Sequence, residues 1–349
     1  PYQLMLQLLA KAEDPFSGGR SYYSHPSSKL EGLPKIIHQS SATGMQAIPT
    51  TGVAQGIKYI DDFKLQNFKK KPVVICSLGD NSVTEGEVAE AFQFAALHQL
   101  PIIFLVQDNE WGISVTKEEA RTSDAYDYAA GFVGLNRMRI DGTDFVESFI
   151  QMQKAVHFVR EERKPLLVCA KTVLIGHHTS GVRREFYRDK ADLAKHSAKD
   201  PGIILKKYLL EEGFSEETLS QIETEARKQI EEDFNKAILA PDPKPETVKE
   251  HVYAPTPITE EKGNRVPENG EKIPMVDAGI HAIQELMHKH PEALLYGQDV
   301  GGRIGGVFRE VVTLQQKFGN KRVFNTAIQE AYIIGSTVGM SAVGLKPIV

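Results

Sequence analysis

The stretch at residues 72–111 constrains the fold most strongly, because two apolar runs flank a helical pattern within it. The first run begins at Val73 and breaks at Gly79, and the second covers 102–106 and ends at Asn109. This order predicts a strand, a helix and a parallel strand, which is the repeating unit of an α/β sheet. Ligands of open α/β sheets bind at the C-terminal ends of the strands. Both runs place polar side chains there.

The turn after the first run has the features of a phosphate and metal site. Ser82 and Glu85 form a capping-box pattern, so we expect the helix to begin at Ser82. Gly79 permits a tight turn before it, and backbone N–H groups at a helix N-terminus attract phosphate. Asp80 and Asn109 offer oxygen ligands from adjacent strand ends, which suits magnesium beside a bound phosphate. An ordinary strand-helix-strand unit with polar strand ends explains the same spacing equally well.

The composition is that of an ordinary globular chain. Its 349 residues leave room for two domains, and the net charge of −5 indicates no nucleic-acid partner, which would favour a basic patch. No apolar run approaches the roughly 20 residues of a membrane span, so we expect no membrane partner. Cys76 and Cys169 lie in apolar runs and are predicted to be buried free thiols in a reducing compartment, the bacterial cytoplasm. Both ends are expected to be cuts through a longer polypeptide.

A change of composition divides the chain. Residues 240–274 are rich in Pro, Glu and Lys and poor in large apolar residues, which predicts a linker. The expected domains are therefore 1–239 and a second α/β unit at 275–349.

Two more polar groups follow predicted strands. His177 and His178 lie in a loop of Gly, Ser and Thr after the strand predicted at 166–175. Glu330 follows a short predicted strand of the second unit. Structural histidines and a helix-start acid favoured by the helix dipole are the alternatives.

Several of these segments resemble one enzyme family. Gly79-Asp80 followed by Asn109 resembles the thiamine-diphosphate signature, and the sequence at 85–109 looks like the alpha chain of 2-oxo acid dehydrogenases. The segments at 17–25, 40–46 and 175–180 also look like alpha-chain segments. Residues 294–349 resemble the start of the beta chain. The chain thus resembles a first component in which alpha and beta chains are fused.

The resemblance implies a fold and an activity. The fold is an α/β, parallel-sheet thiamine-diphosphate-binding fold, in which a diphosphate-binding domain precedes the start of a pyrimidine-binding domain. The activity is oxidative decarboxylation of a 2-oxo acid, with thiamine diphosphate and Mg²⁺ as cofactors and a lipoyl-bearing acyltransferase component as partner. A homodimer is expected, because the two halves of such sites usually meet between subunits. His177-His178 and Ser40-Ser41 favour a branched-chain substrate of the 3-methyl-2-oxobutanoate type, with pyruvate as the alternative.

The resemblance also assigns residues to roles. The metal ligands are the side chains of Asp80 and Asn109 and the carbonyl oxygen of Trp111. The other cofactor contacts are Ser41, Thr43, Gly79, and the backbone N–H groups of Asn81 and Ser82. Glu330 matches the glutamate that binds the aminopyrimidine ring. His178, with His177 as its neighbour, matches the histidine that serves acyl transfer.

Three positions depart from the family pattern. Asn81 stands where the family usually has Gly, Asp108 where it has Asn, and Gln298 where the beta chain has Glu. Asn81 tolerates a left-handed backbone better than most residues, so the loop can survive. Two alternatives stay open: a transketolase-like enzyme without a lipoyl partner, and a non-catalytic scaffold with a degenerate site. This stretch alone is expected to be inactive, and its full-length parent active.

Overall fold

Parallel strands organise the chain in a computed structural model, which describes residues 1–37, 40–179, 181–253, 255, 260–266 and 268–349. The strands in chain order are β1 (Val74–Gly79), β2 (Ile102–Asp108), β3 (Trp111–Gly112), β4 (Val115–Thr116), β5 (Asn136–Asp141), β6 (Leu166–Lys171), β7 (Ala293–Gly297), β8 (Val323–Asn325) and β9 (Lys346–Ile348). The α-helices are α1 (Tyr2–Leu8), α2 (Ala47–Phe63), α3 (Gly86–His98), α4 (Lys117–Ala120), α5 (Ala125–Tyr128), α6 (Phe145–Glu162), α7 (Lys190–Ser197), α8 (Pro201–Glu211), α9 (Glu216–Leu239), α10 (Met275–Lys289), α11 (Leu314–Phe318) and α12 (Glu330–Ala342).

The main sheet has four parallel strands in the order β1-β2-β6-β5. Buried side chains of α3 and α2 pack with Leu78, Phe104 and Leu167 on one face. Those of α6 pack with Ile103 and Val168 on the other. Since apolar residues cover both faces, the strands are near-continuous hydrophobic runs. The α/β fold with parallel sheets, predicted from the sequence, is confirmed.

A second parallel sheet, ordered β8-β7-β9, forms where the sequence resembles a beta chain. Its neighbour α12 packs along α2, and the two helices approach so closely that a Cβ at Gly339 would lie 1.9 Å from the carbonyl oxygen of Pro49. Tyr332 of α12 is fully buried and stacks on Phe94 of α3, with ring centroids 3.9 Å apart. The alpha-like and beta-like segments therefore share a core within one chain.

Residue contacts divide the chain into two units. Unit 1 comprises Pro1–Gln39 and Glu216–His281, and unit 2 comprises Ser40–Ser215 and Ala282–Val349. In unit 1, α1 packs on α9, and Lys11 forms an ion pair with Asp242 at 2.8 Å. This division differs from one drawn along the sequence, so the domain limits 1–239, 240–274 and 275–349 stay a prediction. The described part of 240–274 holds a 3₁₀ turn at Pro245–Lys249 and no α-helix or strand.

The start of α3 differs from the expectation. The helix begins at Gly86, and a 3₁₀ turn at Asn81–Thr84 precedes it. The predicted capping box is therefore wrong. Its physical reason is that Ser82 lies inside this turn, where its carbonyl accepts from the N–H of Glu85 at 3.2 Å. Glu85 then adopts the extended backbone of an N-cap, with φ −69° and ψ 138°.

Two smaller expectations have clear outcomes. Cys76 and Cys169 are buried and free, as predicted. Among the helices of the described residues, none combines the length and apolarity that crossing a bilayer requires.

Candidate active site

The ends of β1 and β2 bring the central motif together. The two strands pair in parallel register, with Gly79 opposite Gln107, so Asp80 and Asp108 lie at the same edge of the sheet. Both side chains are buried, with residue exposures of 2% and 1%. The parallel geometry predicted from the sequence thus places the two carboxylates side by side.

Arg121 joins these two carboxylates. Its Nη1 lies 2.8 Å from Oδ2 of Asp80 and its Nη2 lies 2.7 Å from Oδ1 of Asp108. The position of Arg121 is fixed by the short helix α4, which ends just before it and begins with a capping box between Thr116 and Glu119. A planar guanidinium suits such a bridge because its donors form a rigid fork.

The bridge continues beyond Asp108. Lys171, the last residue of β6, binds Oδ2 of Asp108 and lies 3.2 Å from Asp124. Arg139 then connects Asp124, at 3.1 Å, with Asp127, at 2.7 Å. The result is a line of alternating charges that begins at Asp80 and ends at the surface.

Sequence reasoning missed Arg121 and Lys171. The available signal was Asp108 itself, since a buried carboxylate in place of an amide requires a cationic partner. Burial raises the pKa of Asp80 above its ordinary value; the attraction of Arg121 opposes this, and repulsion from Asp108 adds to it.

Asn81 is accommodated by Gly112. A Cβ at Gly112 would lie 1.9 Å from the amide nitrogen of Asn81, so the Asn81 side chain fills the space above β3. Asn81 does not use the left-handed backbone that its residue type permits. Ser82 follows it in the 3₁₀ turn and is 8% exposed. The first N–H groups of such a turn have no partner inside it, which leaves them available to an anion.

Asn109 and Trp111 form a tight turn after β2. The side-chain oxygen of Asn109 accepts from the N–H of Trp111 at 3.0 Å. Trp111 then pairs with Thr116 in the β3-β4 hairpin, and the guanidinium of Arg188 lies 5.2 Å from its ring centre. Asn109 directly follows Asp108 at the sheet edge where Asp80 lies, and Gly112 after Trp111 packs against Asn81.

The loop before α2 lies at the same edge. Gly44 packs against the side chain of Glu85 at the start of α3, and Gln46 donates to the carbonyl of Ser77 at 3.0 Å. Ser41 and Thr43 are exposed in this loop.

His177 and His178 are exposed in the loop after β6. Nδ1 of His177 accepts from the N–H of Arg184 at 3.2 Å. Ser180, the last residue of the alpha-chain-like segment 175–180, lies outside the described residues. His196, which the sequence did not single out, anchors this loop: it is 3% exposed and accepts from the N–H of Leu174 at 3.1 Å.

Glu330 is the first residue of α12 and is exposed. A hydrogen bond from the Gln298 side chain lowers the pKa of its carboxyl group. Two residues later, the N–H of Tyr332 donates to Glu90 of α3 at 2.9 Å, so the start of α12 lies against α3. Within the described residues, no hydrogen bond or ion pair joins Glu330 to Asp80 or Asn109.

A cleft of about 350 Å³ opens at the C-terminal ends of β2, β5 and β6. Its charged lining is balanced between acids and bases. The charged and histidine side chains are Asp108, Glu110, Asp141, Lys171, Lys195, Lys199 and His196.

The donor types around Asp80 suit a hard cation, while in this structure Arg121 pairs with the Asp80 carboxylate and the Asn109 oxygen accepts from Trp111. A buried carboxylate, an amide oxygen and a neighbouring backbone carbonyl are the oxygen ligands that Mg²⁺ prefers. A second group, Asp108, Asp124 and Cys169, has ligand atoms within 4.8 Å of one another. That group is less suited to a metal, because the Lys171 ammonium already binds both carboxylates and burial raises the pKa of the Cys169 thiol.

Comparison with known proteins gives consistent matches. The family described as "Dehydrogenase E1 component" matches residues 1–246, and "Transketolase, pyrimidine binding domain" matches residues 271–349.

The curated relatives include both branched-chain and pyruvate types. The chain is 30% identical to the 3-methyl-2-oxobutanoate dehydrogenase subunit alpha of Mycobacterium tuberculosis, over 60% of this chain and 56% of that protein. It is 27% identical to the 2-oxoisovalerate dehydrogenase subunit alpha of Bacillus subtilis, over 72% of this chain and 73% of that protein. It is 29% identical to the pyruvate dehydrogenase E1 component subunit alpha of Rickettsia conorii, over 66% and 68%.

The matches thus cover between 56% and 73% of these relatives' own lengths. The dehydrogenase E1 component family matches 246 of the 349 residues, and the match to the pyrimidine-binding domain of transketolase follows it along the chain. The chain belongs to the dehydrogenase E1 component family, the thiamine-diphosphate-dependent first components of 2-oxo acid dehydrogenases.

Proposed function

We propose that the protein catalyses the oxidative decarboxylation of a 2-oxo acid on thiamine diphosphate and passes the acyl group to a lipoyl group of an acyltransferase component. The observation that best supports this proposal is the position of Asp80 and Asn109 directly after the neighbouring parallel strands β1 and β2. Membership of the dehydrogenase E1 component family supports thiamine diphosphate as the cofactor. The homodimer and the bacterial cytoplasm are parts of the same proposal.

The edge of the main sheet would hold the charged end of the cofactor. Asp80, Asn109 and the carbonyl oxygen of Trp111 would bind Mg²⁺. The backbone N–H groups of Asn81 and Ser82 would bind the diphosphate, with Gly79 leaving room for the turn. Ser41 and Thr43 lie in a loop at the same edge and would complete the contacts. The part of these residues in catalysis is positioning.

The start of α12 and the loop after β6 would serve the reacting end. Thiamine diphosphate, when bound, supplies an electron sink for the loss of carbon dioxide. Glu330 would hold a proton at the pyrimidine ring nitrogen. His178, with His177 beside it, would move protons during acyl transfer, and its exposure leaves it accessible to a lipoyl group carried by a partner.

A branched-chain acid of the 3-methyl-2-oxobutanoate type is the proposed substrate. His177-His178 and Ser40-Ser41 support this choice, while relatives of both the branched-chain and the pyruvate type match the chain. Turnover of 3-methyl-2-oxobutanoate and of pyruvate by the full-length protein, measured with a lipoyl domain as acceptor, tests it. A higher kcat/KM for pyruvate would contradict the branched-chain assignment.

Calorimetric titration of the full-length protein with thiamine diphosphate tests the cofactor site. We expect binding that requires Mg²⁺ and that Asp80→Asn weakens at least about tenfold, since one charge-bearing ligand is lost. Asp127→Asn is the matched control, because Asp127 ends the same line of charges at the surface and is 57% exposed. Absence of binding by the unmodified protein would refute the proposal and favour the non-catalytic scaffold, the alternative that rests on the departures at Asn81, Asp108 and Gln298.

A further inference from the structure

Asp80 already has a cationic partner in the structure. Nη2 of Arg121 donates to Oδ1 of Asp108 at 2.7 Å, whereas its Nη1 lies 2.8 Å from Oδ2 of Asp80 in an ion pair without hydrogen-bond geometry. The side chains of the two acids are 2% and 0% exposed, and that of Arg121 is 10% exposed. Buried ion pairs interact more strongly than exposed ones, because little water screens them.

Asp108 is bound on both of its oxygens. Arg121 occupies Oδ1, and Lys171 occupies Oδ2. Along the whole line, the four acids Asp80, Asp108, Asp124 and Asp127 face the three cations Arg121, Lys171 and Arg139, so the line carries a net charge of −1. One uncompensated negative charge is thus built into a network whose buried end is Asp80.

We propose that Arg121 and the divalent cation compete for Asp80, and that Asp108 is the carboxylate that retains Arg121 when the cation binds. This inference rests on the proposed function, which brings a divalent cation to Asp80. A dication and a guanidinium on one carboxylate repel each other. The two-armed bridge resolves the conflict, because Arg121 can release Asp80 and remain paired with Asp108.

This competition would explain why Asp108 stands where the family usually has Asn. With an asparagine there, Arg121 would keep only one anionic partner, Asp80, and would hold it more firmly against the metal. Asp108 is then a residue that tunes metal affinity through Arg121, without itself being a ligand.

Four variants of the full-length protein separate this from a purely structural role: Asp108→Asn, Arg121→Gln, the double variant, and Arg139→Gln as control. The last removes a similar two-carboxylate bridge whose arginine side chain is 43% exposed. The Mg²⁺ dissociation constant is measured by calorimetry at saturating thiamine diphosphate. Thermal unfolding without added ligand reports on the ion pairs alone.

The expected pattern is non-additive. Asp108→Asn weakens Mg²⁺ binding about tenfold, because Arg121 then has Asp80 as its only carboxylate partner in this pair and competes with the metal for it. Arg121→Gln strengthens Mg²⁺ binding by a similar factor, because the cation that repels the metal is removed. Relative to Arg121→Gln, the double variant loses clearly less Mg²⁺ affinity than Asp108→Asn loses relative to the unmodified protein, since only the direct attraction of the Asp108 charge remains to be lost. Without ligand, Arg121→Gln melts lowest, because two neighbouring carboxylates repel, and the added Asp108→Asn raises its melting temperature. Arg139→Gln leaves Mg²⁺ affinity unchanged.

Two results would overturn the inference while the proposed function stands. One is weaker Mg²⁺ binding in Arg121→Gln, and the other is an equal loss from Asp108→Asn with and without Arg121. Arg121→Lys, whose single ammonium lacks the rigid fork of a guanidinium and holds the two carboxylates less firmly, serves if Arg121→Gln does not fold, and its Mg²⁺ affinity should exceed that of the unmodified protein. If the unmodified protein binds no cofactor with Mg²⁺, the proposed function fails and this inference fails with it.

Discussion

The two unusual residues of the central motif each have a specific neighbour. Asn81 fits because position 112 is glycine and leaves space for its amide. Asp108 fits because Arg121 and Lys171 each bind one of its oxygens. A motif can therefore depart from its family pattern without losing its geometry, provided that a nearby residue supplies the missing space or charge.

His98 is another residue whose surroundings change a measurable property, its pKa. It stacks on Phe94 with ring centroids 4.1 Å apart, at the end of α3. Burial lowers its pKa to about 4, and repulsion from Lys58 adds to the effect. Its imidazole is therefore neutral in the folded chain over a range in which an unfolded histidine, with a pKa of about 6.5, takes up a proton.

This difference predicts loss of stability in weak acid. Because the folded pKa is the lower one, the unfolded chain binds more protons between about pH 6.5 and pH 4, and stability falls as the pH falls through that window. The full effect is roughly 3 kcal/mol. Urea unfolding at pH 7.5 and pH 5 should show about 2 kcal/mol of it, since pH 5 lies above the folded pKa, and His98→Phe, which keeps the ring contact, should lose less stability between the two pH values. Equal losses in both proteins would contradict the prediction.

At the scale of elements, the crossing of α2 and α12 determines how the alpha-like and beta-like segments pack. Gly52 faces the carbonyl oxygen of Ser336, which a Cβ would approach to 2.2 Å, and Gly339 faces that of Pro49 at 1.9 Å. Direct backbone contact between helices requires residues without side chains. The aromatic stack of Tyr332 on Phe94 then fixes the position of α12 against α3 as well.

Gly339→Ala is therefore expected to destabilise the chain, although alanine favours helices. The new methyl group forces the helices apart at an overpacked site, which costs about 1–3 kcal/mol or more. Gly279→Ala in α10 is the matched control, because no atom lies within 4 Å of a Cβ there. It should be neutral or stabilising by up to about 1 kcal/mol. Thermal unfolding of both variants provides the test, and a Gly339→Ala variant as stable as the control would rule out the tight crossing.

For the whole molecule, the sequence predicted the regular elements well where long patterns defined them. An amphipathic pattern at 216–239 predicts a helix, and α9 has these bounds. The strand predicted at 102–106 extends by two residues to Asp108. Short elements were predicted poorly. The sequence at 308–318 predicts one helix, of which only α11 forms, and no pattern in the sequence predicted α7. Five to eight residues give too few turns for periodicity to be distinctive.

The candidate site was predictable only in part. Parallel strands place their C-terminal ends together, so Asp80 and Asn109 could be paired from the chain alone. Arg121 and Lys171 could not, because they reach the site from the end of α4 and the end of β6, at distances along the chain that no local pattern encodes. The packing of α12 on α2 joins residues almost three hundred positions apart and was equally hidden.

That long-range packing leads to a prediction for the whole chain. Residues 260–266 and 268–274 are exposed and carry no helix or strand, and they include Lys262, Arg265 and Lys272. Trypsin should therefore cut here before it cuts the core. The alpha-like and beta-like pieces should stay together after the cut, because α2, α3 and α12 share one buried core in unit 2.

Size-exclusion chromatography of the nicked protein measures this association. We expect both pieces to elute together at the volume of the uncut chain. The same digestion of a Gly339→Val variant provides the contrast, since a branched side chain between α2 and α12 should let the beta-like piece separate. Separation of the pieces in the unmodified protein would mean that the covalent connection, and not the helix crossing, holds the two segments together.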